Sequence, residues 1–307
     1  MTLEGLHHIT AITADAPSNV EFYVGVLGLR LVKKTVNFDA PDVYHLYYGD
    51  EVGAPGSILT FFEFPGVARG RRGAGAIHLV EWRVGSGDTI AFWRDRLAAR
   101  GVETTLEDAA LHFEDPEGLR HALLVAAVDD PPLRAAAPDI PSEHALRGFH
   151  GVRAYAAGDL EAARPALDAI GLQETEPGVF EAAGERRRGR IAWDTPPGQP
   201  HREGAGSVHH VAWNAADDEE LLELRRALMA AGGRPTPIID RRYFHSVYQR
   251  LPTGVLFELA TRDIGFTLDE RPDSLGQALQ LPPQHAGRRA ELERSLTPLP
   301  DPRGEVG

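Results

Sequence analysis

Two histidines and one glutamate of this 307-residue chain have the side chains and the surroundings expected of a metal site. His8 and His210 each follow another histidine in a strand-like segment. Glu258 lies within the apolar run from Val255 to Ala260, where an ionised carboxylate is costly to bury without a cation or a hydrogen-bonding partner. Two neutral imidazoles and one carboxylate make a facial triad, which leaves positions open on an octahedral ion and is typical of non-haem Fe(II) oxygenases.

These three residues stand out because the chain repeats one unit four times. Each repeat begins with an apolar residue and a histidine, and the four histidines are His7, His78, His150 and His209. Each continues into a helical pattern, over 16–27, 88–100, 159–170 and 217–231. Each helical pattern is followed by a glycine, which readily adopts the left-handed backbone conformation that ends many α-helices. The four glycines are Gly28, Gly101, Gly171 and Gly232. Histidine and glycine are 21 or 23 residues apart in every repeat, which indicates a true internal repeat.

The repeats differ at two positions, and the differences select the metal ligands. The residue after the shared histidine is His8, Leu79, Gly151 or His210 in the four repeats. The fourth residue after the glycine of the last hairpin is Thr60, Ala122 or Glu258 in repeats one, two and four, and repeat three has no clear counterpart. Any one of the three could be a satisfied core residue, but all three at equivalent positions predict a single metal site.

Beyond each helix the sequence alternates as strands, so each repeat predicts a β-α-β-β-β module. The predicted fold class is α+β, with four βαβββ modules paired into two open-barrel domains. The predicted segments are module 1 over 1–72, module 2 over 73–130, a linker over 131–147, module 3 over 148–204, module 4 over 205–268 and a C-terminal tail over 269–307. Because the metal ligands come from modules 1 and 4, we expect these two to pair around the metal, and modules 2 and 3 to pair without one.

Four further residues lie close to the predicted ligands. A three-residue hairpin loop places Tyr248 opposite Glu258, so its phenol should point into the site. Thr10 is two residues past the first histidine ligand and shares its strand face. His7 and His209 adjoin the ligands, so strict alternation points them away, whereas a bulge or a strand start would turn them toward the site. The sequence leaves both orientations open.

Composition and charge exclude several classes of partner. A net charge of −13 argues against nucleic acid, since phosphate binding needs clustered Lys and Arg. No apolar run is long enough for a membrane span, and no leader is evident, so we predict a cytoplasmic protein. The chain has no cysteine, so a metal must be held by histidines and carboxylates.

Several stretches resemble the vicinal-oxygen-chelate superfamily, which includes glyoxalases, bleomycin-resistance proteins and extradiol dioxygenases. More closely, the chain resembles ring-cleaving dioxygenases of the hydroquinone type. The matching stretches are Leu6 to Thr10, Tyr44 to Tyr48, Gly53 to Gly56, Glu143 to His150, Val208 to His210, Asp240 to Tyr248, Gly254 to Glu258 and Ser274 to Gly276. The resemblance covers nearly the whole chain, and it implies paired modules around one divalent metal.

The resemblance also implies roles for individual residues. The ligands of the family fall on His8, His210 and Glu258, the same residues that the repeats select. Its remaining site residues fall on His7, Thr10, His209 and Tyr248, plus an arginine for which Arg241 and Arg242 compete. Arg242 is an even number of residues from Tyr248, so strict alternation along a strand would place both side chains on one face and favours Arg242.

The implied activity is Fe(II)-dependent cleavage of an aromatic diol, of hydroquinone or catechol type, with O₂. His209, Tyr248 and His7 are the candidates for moving protons, and Thr10 with one of the two arginines would contact the substrate. Mn(II) is accepted by the same ligand types. The sequence allows a homo-oligomer.

Two other functions remain open from the sequence. A glyoxalase-like isomerase or lyase would share the fold, but such sites normally add a fourth protein ligand, usually a glutamate. Glu63 is the nearby candidate in module 1, and its parity differs from that of Thr60, so it should point away. A metal-free resistance protein that binds a small molecule is the second alternative.

Overall fold

The computed structural model describes residues 3–38 and 40–301 and contains four modules of the predicted kind. In module 1 the elements are β1 (Leu6–Thr13), α1 (Ala16–Val20), β2 (Arg30–Val36), β3 (Tyr44–Gly49) and β4 (Ile58–Glu63). In module 2 they are β5 (Ile77–Val84), α2 (Gly87–Ala99), β6 (Thr104–Glu107), β7 (Ala110–Glu114) and β8 (Arg120–Val125). Helix α1 continues as a π-helical segment, Glu21–Val26.

Modules 3 and 4 repeat this order. In module 3 the elements are β9 (Phe149–Tyr155), α3 (Arg164–Ala169), β10 (Gln173–Glu176), β11 (Val179–Ala183) and β12 (Arg188–Asp194). In module 4 they are β13 (Val208–Ala215), α4 (Asp218–Ala230), β14 (Ile239–Asp240), β15 (His245–Arg250) and β16 (Leu256–Thr261). A last helix, α5 (Arg289–Ser295), belongs to the C-terminal segment. The four glycines predicted to end helices all have positive φ, between 71° and 84°.

The strands form two eight-stranded sheets, and each sheet is shared by two modules. The first has the order β14-β15-β16-β13-β1-β4-β3-β2 and joins module 4 to module 1 through β13 and β1. The second has the order β10-β11-β12-β9-β5-β8-β7-β6 and joins module 3 to module 2 through β9 and β5. The predicted fold class is therefore confirmed. The residue bounds of the predicted domains, linker and tail stay a prediction.

The two central strand pairs contain β-bulges at the shared histidines. Where β1 pairs with β13, the register shifts between Leu6 and His8, and again between Thr10 and Ala11. The first shift makes His7 the extra residue of β1, and the second makes His209 the extra residue of β13. The β5–β9 pair shows the same shifts at His78 and His150. A bulge breaks strict alternation, so neighbouring side chains can turn to the same side of a strand.

A buried polar chain joins module 1 to module 2 in the core. The Tyr23 hydroxyl, from the π-helical segment, donates to the Asp115 carboxylate at 2.9 Å. Trp82 Nε1–H donates to His121 Nδ1 at 3.1 Å, so Nε2 of His121 carries the proton and faces the Tyr23 oxygen at 3.1 Å. Burial lowers the pKa of His121 to about 3, so the ring is neutral at neutral pH.

The C-terminal segment packs against β2, the edge strand of the first sheet. Lys33 of β2 is fully buried, and its ammonium lies 2.6 Å from Asp269 and also contacts Glu270. Farther along, Gln280 N–H donates to the Lys34 carbonyl at 2.8 Å, while Leu292 is buried. The ion pairs and the apolar burial together fix this segment to the sheet.

The connections between modules 1 and 2 and between modules 3 and 4 lie side by side. Arg71 and Arg202 exchange backbone hydrogen bonds of 2.8 and 3.0 Å. Ala74 N–H donates to Gln199 at 3.1 Å. Two crossings of the chain between the sheets are thus hydrogen-bonded to each other. Among the described residues, no helix is both long and apolar enough to cross a membrane.

The buried His121 predicts a pH-dependent stability. Its pKa is about 3 in the folded protein against 6.5 when unfolded, so the unfolded chain binds an extra proton between these values. The free energy of unfolding should therefore fall as pH drops below 6.5, with His121 contributing about 1.4 kcal/mol per pH unit. In His121→Gln, urea unfolding between about pH 4 and 6 should show a slope smaller by roughly this amount. An unchanged slope would contradict the assignment.

Candidate metal centre

Three buried side chains from neighbouring strands converge at the centre of the first sheet. His8 lies on β1, His210 on β13 and Glu258 on β16, and none is more than 3% exposed. One ligand atom from each lies within 4.8 Å of the other two. Glu258 Oε2 is 2.8 Å from His210 Nε2 and 3.2 Å from His8 Nε2, and the two Nε2 atoms are 3.3 Å apart.

The strand register explains this convergence. Thr10 lies opposite His210 across the antiparallel β1–β13 pair, so His8 and His210 approach from opposite directions along neighbouring strands. Ala212 lies beside Glu258 in the parallel β13–β16 pair, two residues beyond His210 and on the same face. The pairing of modules 1 and 4 therefore brings residues from both ends of the chain into one site.

The hydrogen bonds of His7 leave His8 ready to bind a metal. His7 Nε2 lies 3.0 Å from the Thr261 carbonyl, which can only accept, so this nitrogen carries the proton. Burial lowers the pKa of His7 to about 3, so its Nδ1 is an acceptor. His8 Nδ1, at 2.9 Å, must then donate to it. The proton of His8 is thereby held on Nδ1, and Nε2 presents its lone pair to the site.

His209 has a corresponding contact with His210 but a different environment. The two Nδ1 atoms are 2.7 Å apart. The other nitrogen of His209 faces Glu203 at 3.8 Å, which is beyond hydrogen-bonding range, and about a third of the side chain is exposed. Burial lowers the pKa of His209, and Glu203 acts in the opposite direction. His7 is therefore fixed by the Thr261 carbonyl, whereas His209 borders the cavity.

The charge and contacts of Glu258 fit a cation. Burial raises its pKa, but His8 and His210 act more strongly, and the pKa lies well below its ordinary value. Its Oε1 accepts from the Ser246 hydroxyl at 2.5 Å, whereas Oε2 makes no hydrogen bond despite its close histidine neighbours. Burial lowers the pKa of His210 to about 4. An ionised carboxylate and neutral imidazoles are the protonation states that metal binding requires.

A cavity of about 510 Å³ opens over these three residues. Its apolar lining residues are Ile12, Phe38, Ala40, Phe62, Phe64, Phe244 and Leu256. Its other lining residues, beyond the candidate ligands, are Thr10, Asn37, His45, Tyr47, Glu203, His209, Arg241 and Tyr248. A larger groove of about 640 Å³ lies between the π-helical segment and β6–β7, but it is open to solvent and contains none of the three candidate ligands. The cavity over the triad is therefore the candidate active site.

The structure separates the two competing arginines. Arg241 lines the cavity, and its Nε donates to the Tyr248 hydroxyl at 3.2 Å. Arg242 instead pairs with Asp269 at 2.8 Å, away from the cavity. Strand parity favours Arg242, but Arg241 is the arginine whose side chain lies at the cavity. Arg242 has φ of +69°, and this left-handed residue breaks the alternation on which the parity argument relied.

The other predicted neighbours divide between the cavity and the protein interior. Tyr248 lies opposite Glu258, as the hairpin register predicted, and burial raises its pKa. Thr10 and His209 also line the cavity. His7 does not, because it is turned toward Thr261 behind the ligands.

Sequence reasoning missed His45, Tyr47 and Ser246. The register rule that found Tyr248 does not extend to module 1, because eight residues rather than three separate β3 from β4, where Tyr47 pairs with Thr60.

In the second sheet the same positions hold no ligands. Leu79 and Gly151 occupy the places of the two histidines, and Ala192 that of the glutamate. A Cβ on Gly151 would lie 2.5 Å from the Arg190 side chain, which crosses this position to pair with Glu81 at 3.1 and 3.2 Å. An ion pair thus fills the space that corresponds to the metal centre.

Comparisons with a family model and with known proteins agree on one superfamily. Residues 5–123 match the Glyoxalase/Bleomycin resistance protein/Dioxygenase superfamily. The chain is 38% identical to the provisionally named ring-cleaving dioxygenase MhqA of Bacillus subtilis (strain 168), over 97% of this chain and all of that protein. It is 36% identical to the chlorohydroquinone/hydroquinone 1,2-dioxygenase of Sphingobium indicum, over 96% of each chain.

Solved structures agree with the fold. A crystal structure provisionally named as a Bacillus subtilis dioxygenase superposes with a TM-score of 0.90 at 36% identity, covering 97% of this chain and 98% of the other. Glyoxalase I of Zea mays superposes with a TM-score of 0.60 at 17% identity, covering 87% and 94%. The second likeness concerns the fold alone.

The role of His7 can be tested by metal affinity. Replacing His7 with Ala removes the acceptor that holds the His8 proton on Nδ1, so we expect Fe(II) or Mn(II) to bind about 10–100-fold more weakly in a chelator competition. His78→Ala is the matched control, because His78 is the shared histidine of module 2, bonded to Asp194. Equal affinities for the two variants would contradict the proton assignment.

Proposed function

Because the chain belongs to the glyoxalase/bleomycin resistance protein/dioxygenase superfamily, we propose that it is an Fe(II)-dependent, extradiol-type ring-cleaving dioxygenase. Its substrates would be an aromatic diol, of hydroquinone or catechol type, and O₂. The observation that carries the proposal is the convergence of His8, His210 and Glu258 at the base of a largely apolar cavity. Full-length relatives named as ring-cleaving dioxygenases, one of them for hydroquinones, support the reaction class.

The ligand set favours iron chemistry. Two imidazoles and one carboxylate on one face leave adjacent positions for a substrate oxygen and for O₂. When bound, Fe(II) would supply the electronic coupling that lets triplet O₂ react with a singlet aromatic ring. The same ligands accept Mn(II), which we keep as the second metal.

The remaining cavity residues have separate tasks in this proposal. The phenylalanines of the lining exclude water and stack against an aromatic ring. The Tyr248 phenol and the Arg241 guanidinium are hydrogen-bonded to each other beside Glu258, where they can position a substrate oxygen. His209 borders the cavity and is partly exposed, so it is the group best placed to take a proton from the diol.

Two observations weigh against the alternative functions. At the module 1 position equivalent to Glu258 stands Thr60, which cannot serve as the fourth carboxylate ligand of an isomerase. Glu63 is buried outside the cavity and accepts from the backbone N–H groups of Ala16 and Tyr44, each at 3.3 Å. A metal-free binding protein, in turn, would have no use for a buried carboxylate between two imidazoles.

The activity can be tested by O₂ uptake after anaerobic reconstitution with Fe(II). We expect stoichiometric O₂ consumption and a ring-opened product with at least one member of a panel of hydroquinones and catechols. His210→Ala should abolish it by removing a ligand, whereas His150→Ala, the shared histidine of module 3, should retain it. No uptake across the panel by protein with one tightly bound metal would refute the proposal.

Arg241 and Arg242 form a matched pair for substrate binding. Arg241→Gln should lower kcat/KM by about 10–100-fold, because a charged donor beside Tyr248 is lost from the cavity (roughly 1.4–2.8 kcal/mol). Arg242→Gln removes the ion pair with Asp269 and the contact with the Tyr243 ring, both outside the cavity, and should leave kcat/KM within about twofold while reducing thermal stability. The reverse pattern would restore Arg242 as the substrate-binding residue.

A further inference from the structure

The wall of the cavity contributed by module 1 contains a continuous chain of hydrogen bonds. The Thr60 hydroxyl donates to the Thr10 hydroxyl at 3.1 Å. His45 Nε2 is 2.9 Å from the Thr60 oxygen, and the Tyr47 hydroxyl is 2.9 Å from His45 Nδ1. All four residues are buried, and Thr10, His45 and Tyr47 line the cavity.

The direction of the chain follows from the protons. Because Thr60 gives its only proton to Thr10, its oxygen must accept from His45, so His45 Nε2 carries the hydrogen. His45 Nδ1 then accepts from the Tyr47 hydroxyl. Burial holds the pKa of His45 well below its ordinary value, which is consistent with a single proton on the ring. Every donor therefore points from Tyr47 toward Thr10.

The chain ends at a hydroxyl whose own proton is uncommitted. Within the described part of the chain, Thr10 accepts from Thr60, and no group accepts from Thr10. Thr10 lies two residues from His8 on β1 and opposite His210 on β13, and it faces the cavity. Its O–H is therefore free to donate to a ligand bound beside the candidate metal.

This hydrogen-bond chain in module 1 lies at the positions equivalent to those around Glu258 in module 4. Tyr47 lies opposite Thr60 across β3–β4, as Tyr248 lies opposite Glu258 across β15–β16. Two residues before each tyrosine stands the group that bonds to the equivalent position: His45 to Thr60, and Ser246 to Glu258. Module 4 thus presents a carboxylate to the site, whereas module 1 presents a hydrogen-bond donor.

Resting on the function proposed above, we propose that Tyr47, His45 and Thr60 are positioning residues that aim the Thr10 hydroxyl at the deprotonated oxygen of a bound phenol or diol. An aligned chain of donors polarises each member, so the last hydroxyl is a stronger donor than an isolated one. A hydrogen bond to the charged form of a ligand lowers the pKa of that ligand. The hydrogen-bond chain would thereby favour the ionised form of a diol bound in the cavity.

The test measures the ionisation of a bound probe rather than turnover. Protein loaded with Zn(II), which is redox-inert, is titrated over pH with 4-nitrophenol, whose phenolate form absorbs visible light. We expect Thr60→Val to raise the apparent pKa of the bound probe by about one unit, a tenfold change in the ratio of phenol to phenolate. Thr60→Ser, which keeps the hydroxyl, should restore the wild-type value.

Three further variants separate aiming from simple packing. Thr10→Val should raise the apparent pKa by a similar amount, and adding Thr60→Val to it should have no further effect, since both act through one hydroxyl. Thr89→Val removes a buried hydroxyl near His144 in module 2 and should change nothing. His45→Leu should raise the pKa, whereas His45→Gln keeps a donor and an acceptor and should not. The His45 pair carries the test if Thr60→Val fails to fold.

The outcomes distinguish this proposal from the proposed function. The proposal fails if Thr60→Val matches the wild type, if the Thr10 and Thr60 effects add, or if wild-type protein shows no phenolate form of the bound probe. No O₂ enters the measurement. The expected pKa shifts in a protein that consumes no O₂ would refute the dioxygenase alone, and O₂ consumption without the shifts would refute the hydrogen-bond chain alone.

Discussion

The antiparallel contact between β1 and β13 is the constraint on which the candidate metal centre depends. It is the seam between modules 1 and 4, and it carries one bulge at His7 and another at His209. Each bulge lets two successive histidine rings meet through their Nδ1 atoms, while the second ring of each pair turns its Nε2 toward Glu258. Without the bulges, alternation would place the supporting ring and the ligand on opposite faces of the sheet.

The repeated modules share a backbone arrangement but carry different side chains, both between the two sheets and between modules 1 and 4. The seam of the second sheet keeps the bulges and the shared histidines, but an ion pair between Glu81 and Arg190 takes the place of the ligands. Within the first sheet the asymmetry recurs between modules, with Glu258 in one and Thr60 in the other. The two seams therefore share one backbone arrangement and differ in the side chains at the ligand positions.

Sequence reasoning succeeded where periodicity carries the information. The four repeats predicted the modules, and the one-residue differences between repeats selected the three residues whose ligand atoms meet. The hairpin register placed Tyr248 opposite Glu258 because side chains alternate between the two faces of a strand with a fixed period of two residues. Arg241 could not be chosen over Arg242, since the left-handed backbone at Arg242 is a local departure that no periodic pattern reveals. The orientation of His7 depended in the same way on a bulge, and the His45 chain depended on contacts between β1, β3 and β4.

The nested pairing of the modules has a consequence for the order in which the chain acquires its parts. Modules 2 and 3 are neighbours along the chain and share a sheet, so they can pair as soon as both have left the ribosome. Module 1 is made first, yet its partner strand β13 belongs to module 4, so this seam can form only after modules 2 and 3 have been made. A nascent protein interrupted before β16 would carry His8 and His210 but not Glu258. The complete set of candidate metal ligands therefore exists only after β16 has been made.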